Sequence, residues 1–200
     1  MKIVFLDRDG VINQYPGDTK YVASWAEFHF LRGTKEALLR LTQAGYKIFI
    51  VSNQAGVAKG IYSKETLDEI TRKMLRELGA SGVKICSIYY CIHRDEDNCS
   101  CRKPKSGSVE RALREHAIPK DVLKSSFFVG DSTRDIQAGK SAGLRTILVF
   151  SGKEKPGSQV SWAVQPDFTA RDLPEAVSLI LGTSFQLSTR VSPERKKGCP

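Results

Sequence analysis

Short apolar runs alternate with amphipathic segments along this chain. Ile3-Val4-Phe5-Leu6 is apolar at every position, so Lys2–Leu6 reads as a strand buried on both faces. Thr34–Ala44 instead spaces Ala37, Leu38 and Leu41 at helical intervals and stops at Gly45, a favourable residue just past a helix end. Tyr46–Val51 is a second apolar strand. Ser63, ahead of Lys64-Glu65-Thr66, suits the N-cap of a helix running to about Leu78. Val83–Tyr90, rich in Ile and Tyr, is a third strand. A polar, Cys-rich loop follows, then a helix from about Ser108 to His116. Phe127–Val129 is a fourth strand, Asp135–Ala142 a short helix and Thr146–Phe150 a fifth strand. Lys153–Pro166 reads as a loop and Pro174–Leu181 as a last helix. From about Thr183 the chain is rich in Ser, Arg and Lys and reads as a disordered tail.

Alternating apolar strands and helices indicate an α/β fold: an open parallel, Rossmann-like sheet with helices on both faces. Residues 1–182 are expected to form one domain and residues 183–200 a basic tail. In such sheets ligands bind at the carboxyl ends of the strands, near a switch in strand order. The suspicious polar residues all fall there. Asp7 and Asp9 end the first strand, Ser52 and Asn53 the second, a Cys/His cluster follows the third, and Gly130-Asp131 ends the fourth.

Composition narrows the setting. The 200 residues suffice for a domain with a real core, and the apolar and charged fractions are ordinary. No apolar stretch is long enough to cross a membrane, and the sequence opens in the first strand without a signal peptide, so a cytoplasmic monomer without membrane contact is expected. The formal charge of +9 allows nucleic-acid or anionic partners. Arg190, Arg195, Lys196 and Lys197 against Glu194 place +3 of it in the tail, and the rest forms no basic stripe. The charge therefore favours a mildly basic surface over a nucleic-acid site. Five cysteines in such a chain argue against a disulfide framework. Cys86 lies in an apolar run and is expected in the core; Cys199 is expected as a free thiol in the tail.

The strand ends carry chemistry. Asp7 and Asp9 are two residues apart and can face one site, where their charges repel unless a cation or proton intervenes. Val51-Ser52-Asn53-Gln54-Ala55-Gly56 offers a hydroxyl and a small-residue turn to an anion, although Ser and Asn are also common turn formers. Arg102-Lys103-Pro104 sets two cations on a restricted backbone, suited to gripping an anion. Asp131 can complete a magnesium site with Asp7, since Mg²⁺ takes oxygen ligands and needs few carboxylates. Asp135, at the start of a helix, is either a cap or a further site residue.

In this order and on these strand ends, Asp-x-Asp-Gly, Ser-Asn, Lys and Gly-Asp-x-x-x-Asp resemble the four motifs of the haloacid dehalogenase-like superfamily of phosphohydrolases, over residues 3 to about 150. The resemblance implies a Mg²⁺-dependent phosphatase. It makes Asp7 the nucleophile that forms an aspartyl-phosphate and Asp9 the acid, then base, its proton kept in place by nearby negative charge. Ser52 and Lys103 would hold the phosphoryl oxygens, with Asn53 and Arg102 beside them. Asp7, Asp131 and the backbone carbonyl of Asp9 would bind Mg²⁺. Large caps of that superfamily follow the first or third strand; both connections are short here, so the enzyme is expected to be capless.

Cys91-Ile-His93 and Cys99-Ser-Cys101 supply three thiolates and one imidazole, a closed tetrahedral set for a structural Zn²⁺. The ion would tie down loop 91–101 and position Arg102 and Lys103 directly after it. A capless member with this loop resembles heptose-1,7-bisphosphate 7-phosphatases and histidinol-phosphate phosphatases. Asp7-Arg8-Asp9-Gly10-Val11-Ile12-Asn13 and Gly56-Val57-Ala58-Lys59-Gly60 resemble the heptose group more, implying a phosphorylated sugar as substrate. Asp18-Thr19-Lys20-Tyr21-Val22 resembles that group's substrate loop but departs from it at Thr19-Lys20. A nucleic-acid-associated protein built on the zinc loop and tail is the alternative from another class.

Overall fold

The computed structural model describes residues 1–158 and 162–182. The tail with Cys199 and the middle of the 153–166 loop lie outside the described residues. Among the described residues, six strands form one all-parallel sheet: β1 (Lys2–Leu6), β2 (Tyr46–Asn53), β3 (Ile85–Cys91), β4 (Phe127–Gly130), β5 (Arg145–Val149) and β6 (Phe168–Ala170). Their order is β3-β2-β1-β4-β5-β6. The chain thus builds outward from β1 on one side, returns, and builds outward on the other. This reversal opens a crevice at the carboxyl ends of β1 and β4.

Five α-helices among the described residues cover the sheet: α1 (Thr34–Gln43), α2 (Lys64–Ala80), α3 (Gly107–Glu115), α4 (Thr133–Ser141) and α5 (Leu173–Leu181). Ser63 caps α2 as expected, its hydroxyl accepting from Thr66 N at 3.2 Å. Because strand residues alternate faces, Val4, Leu6, Ile48, Ile50 and Val129 pack against α1, α2 and α5. Ile3, Phe5, Phe49, Val51 and Phe128 pack against α3 on the other face. Phe5 stacks between Phe49 and Phe128, with ring centroids 5.2 and 6.3 Å away. Burying such a ring contributes about 3 kcal/mol. The central strands are apolar on both faces because both faces are covered.

Two expectations need correction. The sheet has a sixth strand, β6, in the stretch between the expected 153–166 loop and the last helix, to which the sequence reading assigns no element. Its three residues carry too little pattern to be read, and it pairs with β5 from Ile147↔Phe168 to Val149↔Ala170. Cys86 is exposed and not in the core. It lies on the edge strand β3, where the register against β2 slips between Ile48↔Ile85 and Phe49↔Ser87 and leaves Cys86 outside the pairing. The sheet is capless: residues 7–33 contain one short 3₁₀ turn (Trp25–Glu27), and residues 92–106 contain no helix or strand. No helix among the described residues is long and apolar enough to cross a membrane.

Candidate active site

The crevice between β1 and β4 is a solvent-open pocket. Asp7, Asp9, Ser52, Asn53, Arg102, Lys103 and Asp131 all line it. Asp7 extends β1 by one hydrogen bond, its N–H donating to Val129 O at 3.0 Å, so its carboxylate starts where the sheet ends. Its Oδ1 accepts from Arg8 N at 2.7 Å and pairs with Lys103 Nζ at 2.9 Å. Burial pushes Asp7 up to about 6 against the pull of Lys103, and the carboxylates of Asp135 and Asp9 add to the rise.

Lys103 is buried under the pocket. Besides Asp7, its ammonium meets Asp135 Oδ1 at 2.5 Å and Val51 O at 2.9 Å. Burial works against its charge, but Asp135 and Asp7 outweigh it and raise its pKa. Its backbone is clamped by Asn53. The Asn53 amide donates to Lys103 O at 3.0 Å and accepts from Lys103 N at 3.1 Å. Asn53 thus lines the pocket while its amide groups hold Lys103.

Asp131, at the end of β4, accepts from Lys153 N at 2.7 Å through Oδ2. Burial, Asp135 and Asp7 together hold its pKa well above the usual carboxylate range. Its space is made by two glycines. Gly10, at φ +80°, approaches so closely that a Cβ would stand 2.2 Å from Asp131 Oδ2, and Gly152 would place one at 2.0 Å. Asp135 serves both roles left open by the sequence. Its Oδ2 accepts from Ser132 N at 3.1 Å and Ser132 Oγ at 2.6 Å, capping α4, while Oδ1 holds Lys103.

Asp9 sits in a ring of donors. Arg8 Nη2 reaches Oδ1 at 2.9 Å and Oδ2 at 3.0 Å, Asn13 Nδ2 reaches Oδ1 at 2.8 Å, and Gln54 Nε2 reaches Oδ2 at 2.8 Å. The expectation of surrounding negative charge is therefore replaced by one of positive charge and amides at contact distance. Gln54 also donates to Ser52 Oγ at 3.1 Å and accepts from Tyr62 OH at 2.6 Å. Arg8 is completely buried, between the rings of Phe28 and Tyr90 at 6.0 and 5.8 Å.

One carboxylate oxygen from each of Asp7, Asp131 and Asp135 lies within 4.8 Å of the others. Fully ionised, three acids against Lys103 leave the cluster at −2, which adds to the upward push of burial on Asp7 and Asp131. A hard divalent cation with oxygen ligands fits that donor set.

A HAD-hydrolase-like family model matches residues 100–176. The D-glycero-beta-D-manno-heptose-1,7-bisphosphate 7-phosphatase of Neisseria meningitidis is 40% identical over 155 residues, 78% of this chain and 80% of that protein. The chain belongs to the haloacid dehalogenase-like family. It is therefore a phosphatase. The D-glycero-alpha-D-manno-heptose-1,7-bisphosphate 7-phosphatase of Campylobacter jejuni is 37% identical over 156 residues, covering 78% of this chain and 86% of that one. The D,D-heptose 1,7-bisphosphate phosphatase of B. bronchiseptica, solved with magnesium and phosphate, is 34% identical with a TM-score of 0.83. That match covers 92% of this chain and all of that one. Haloacid dehalogenase-like phosphatases use Mg²⁺, in accord with the acidic cluster.

The Cys/His loop of this phosphatase also converges. Cys91 Sγ lies 3.6 Å from His93 Nδ1 and 3.6 Å from Cys99 Sγ; Cys101 Sγ lies 3.3 Å from His93 Nδ1 and 3.4 Å from Cys99 Sγ. A tetrahedral Zn²⁺ with Zn–S near 2.3 Å and Zn–N near 2.0 Å has edges of about 3.8 and about 3.5 Å. The four donors therefore fit a metal of that size. The loop is tied to its neighbours by Arg94, which donates to Ala58 O at 3.0 and 2.8 Å, and by Ser108 Oγ, which donates to Cys101 O at 2.9 Å. Arg102 lines the pocket, its guanidinium donating to Asp95 Oδ1 and, at 3.4 Å, to His93 O.

The sequence reading missed Arg8, Asn13, Gln54 and Tyr62. An arginine between two aspartates reads as a solvated charge. Its neighbour on the other strand end, Gln54, reads as part of a turn.

Proposed function

We propose that this phosphatase removes the 7-phosphate of a D-glycero-D-manno-heptose 1,7-bisphosphate through an aspartyl-phosphate on Asp7. The observation that carries the reading is Asp7 at the end of β1, with Lys103 on one side and Asp131 across the β1/β4 crevice. The near-full-length relatives named as heptose bisphosphate phosphatases support the sugar. Mg²⁺, when bound by Asp7, Asp131 and the Asp9 carbonyl, supplies charge that lets an anionic carboxylate approach an anionic phosphate.

The chain's own residues do the rest. Asp7 attacks phosphorus in line while Ser52 and Lys103 hold the equatorial oxygens. Asn53 fixes Lys103, and Arg102 faces the remainder of the substrate. The negative charge of the arriving phosphate favours a proton on Asp9, which Asp9 gives to the leaving sugar oxygen, and Asp7 is left phosphorylated. Asp9 then takes a proton from the attacking water, and phosphate departs. Asp135 keeps Lys103 charged and aimed. Cys91, His93, Cys99 and Cys101 hold a structural Zn²⁺ that fixes the loop carrying Arg102.

The test is phosphate release with Mg²⁺ from both heptose bisphosphate anomers, histidinol phosphate and fructose bisphosphate. Preference for a heptose bisphosphate is expected; preference for histidinol phosphate would overturn the sugar assignment. Asp7→Asn is expected to remove turnover with the fold intact, and residual turnover near wild type would overturn the covalent route.

A further inference from the structure

Residues 14–22 form a loop with space on both sides. Its front lines the active-site pocket, and its back lines a second cleft formed with Glu27 and His29. Tyr15, Lys20 and Tyr21 face both cavities. The base of the loop is anchored. Asn13 bridges to Phe30, Gln14 N donates to His29 O at 2.9 Å, and Val22 is buried. The tip reaches the other wall of the pocket through Asp18. That carboxylate accepts from Tyr15 OH at 2.6 Å and pairs with Lys153 Nζ at 2.9 Å.

The far end of this contact is built on Asp131. Lys153 N donates to Asp131 Oδ2 at 2.7 Å, and Glu154 N donates to Asp131 O at 3.0 Å. Ser151 Oγ donates to Gly10 O at 2.7 Å, so the turn is also pinned to the first motif. The backbone of Lys153 therefore reports where the Asp131 carboxylate lies, and its side chain carries that position across the pocket to the loop.

We infer that Lys153 and Asp18 form a latch through which cation binding at Asp131 orders the 14–22 loop over the substrate. Lys153 is then a positioning residue. This rests on Asp131 being a Mg²⁺ ligand, as proposed above. With its carboxylate fixed, Asp131 holds the Lys153 N–H in place, and the ammonium stays over the pocket mouth to take Asp18. An exposed ion pair of this kind is weak. That suits a contact that opens for substrate entry and re-forms behind it. The cleft at the back of the loop gives it room to withdraw.

The experiment is hydrogen exchange of the 14–22 segment in the full chain, with and without Mg²⁺. In the wild type, Mg²⁺ is expected to slow exchange by about fivefold, the weight of one exposed ion pair. Lys153→Met and Asp18→Asn are expected to lose most of that slowing, and Lys153→Arg to retain it. Mg²⁺ affinity by calorimetry should persist in Lys153→Met, because the substitution keeps the backbone N–H. Turnover should show a raised KM in Lys153→Met and Asp18→Asn, and a KM near the wild type in Lys153→Arg. Slowing by Mg²⁺ that survives in Lys153→Met, or is absent from the wild type, would overturn the latch. Absence of heptose bisphosphate turnover in the wild type would remove the sugar assignment and leave the exchange result to judge the latch.

Discussion

Arg8 is expected to be the main support of Asp9, and Arg8→Met tests this. Arg8 is fully buried and Asp9 is only 19% exposed, so their contact lies largely out of water. Removing one partner of a buried pair costs about 3–5 kcal/mol. Asp9 keeps Asn13 and Gln54, and part of it reaches solvent, which places this case near the lower end, about 3 kcal/mol. With an m-value of about 2 kcal/mol per molar, the urea midpoint should fall by about 1.5 M. A cycle with Asp9→Asn gives the sharper reading. Asp9→Asn alone strands a buried guanidinium, so adding Arg8→Met to it should recover stability. Additive losses across the cycle would refute the idea that the pair holds Asp9 in place. Turnover in Arg8→Met should also fall, by about 100-fold, as a misplaced proton carrier predicts.

Lys103→Met should reduce turnover by at least about a thousandfold, since it removes the charge beside the nucleophile and leaves Asp7 and Asp135 unopposed; steady-state phosphate release checks this. Stripping the Cys/His site with a chelator should release about one zinc per chain, raise hydrogen exchange across residues 92–106 and lower activity, while Mg²⁺ titration by calorimetry stays the same. A metal-free chain with an unaltered loop would contradict the structural role. Asp7 rises from 3.8 to about 6 in the folded, metal-free chain, so the folded state binds this proton more tightly than the unfolded one. Stability relative to Asp7→Asn should therefore fall as pH rises from about 4 to about 6, and saturating Mg²⁺ should remove the difference. Chemical denaturation of both proteins across that window gives the sign.

The layout of the site was legible because it rests on strand ends. Apolar runs mark where β1, β2 and β4 stop, and the next polar residues must then lie at one edge of the sheet. What lies beneath that edge was not legible. Alternation along β1 sends Arg8 away from Asp7 and Asp9, which suggests solvent. Only the approach of Phe28 and Tyr90 makes that position a buried one with Asp9 in reach. Gln54 acquires its role because β2 lies beside β1, and sheet order is a long-range fact. Cys86 failed for a related reason: its run is apolar, but β3 is an edge strand with a slipped register. β6 is three residues long, held partly by Asp167, whose carboxylate accepts from Thr146 N at 2.7 Å and Thr146 Oγ1 at 3.0 Å. A side-chain clamp of that kind leaves no periodicity to read.

The ammonium of Lys103 donates to the Val51 carbonyl and is ion-paired with both Asp7 and Asp135, so two anions already surround it. A phosphoryl oxygen arriving there competes with an ion pair already made. The free enzyme is in this sense self-liganded, with the Asp7 carboxylate standing in for the phosphate it will later carry. Binding becomes an exchange of one anion for another, which favours a dianion over a monoanion or a neutral ester. The same exchange runs in reverse at the end of the cycle. As inorganic phosphate loosens, Asp7 reclaims the lysine, so the site expels its product by closing on itself, and inhibition by phosphate should be weak.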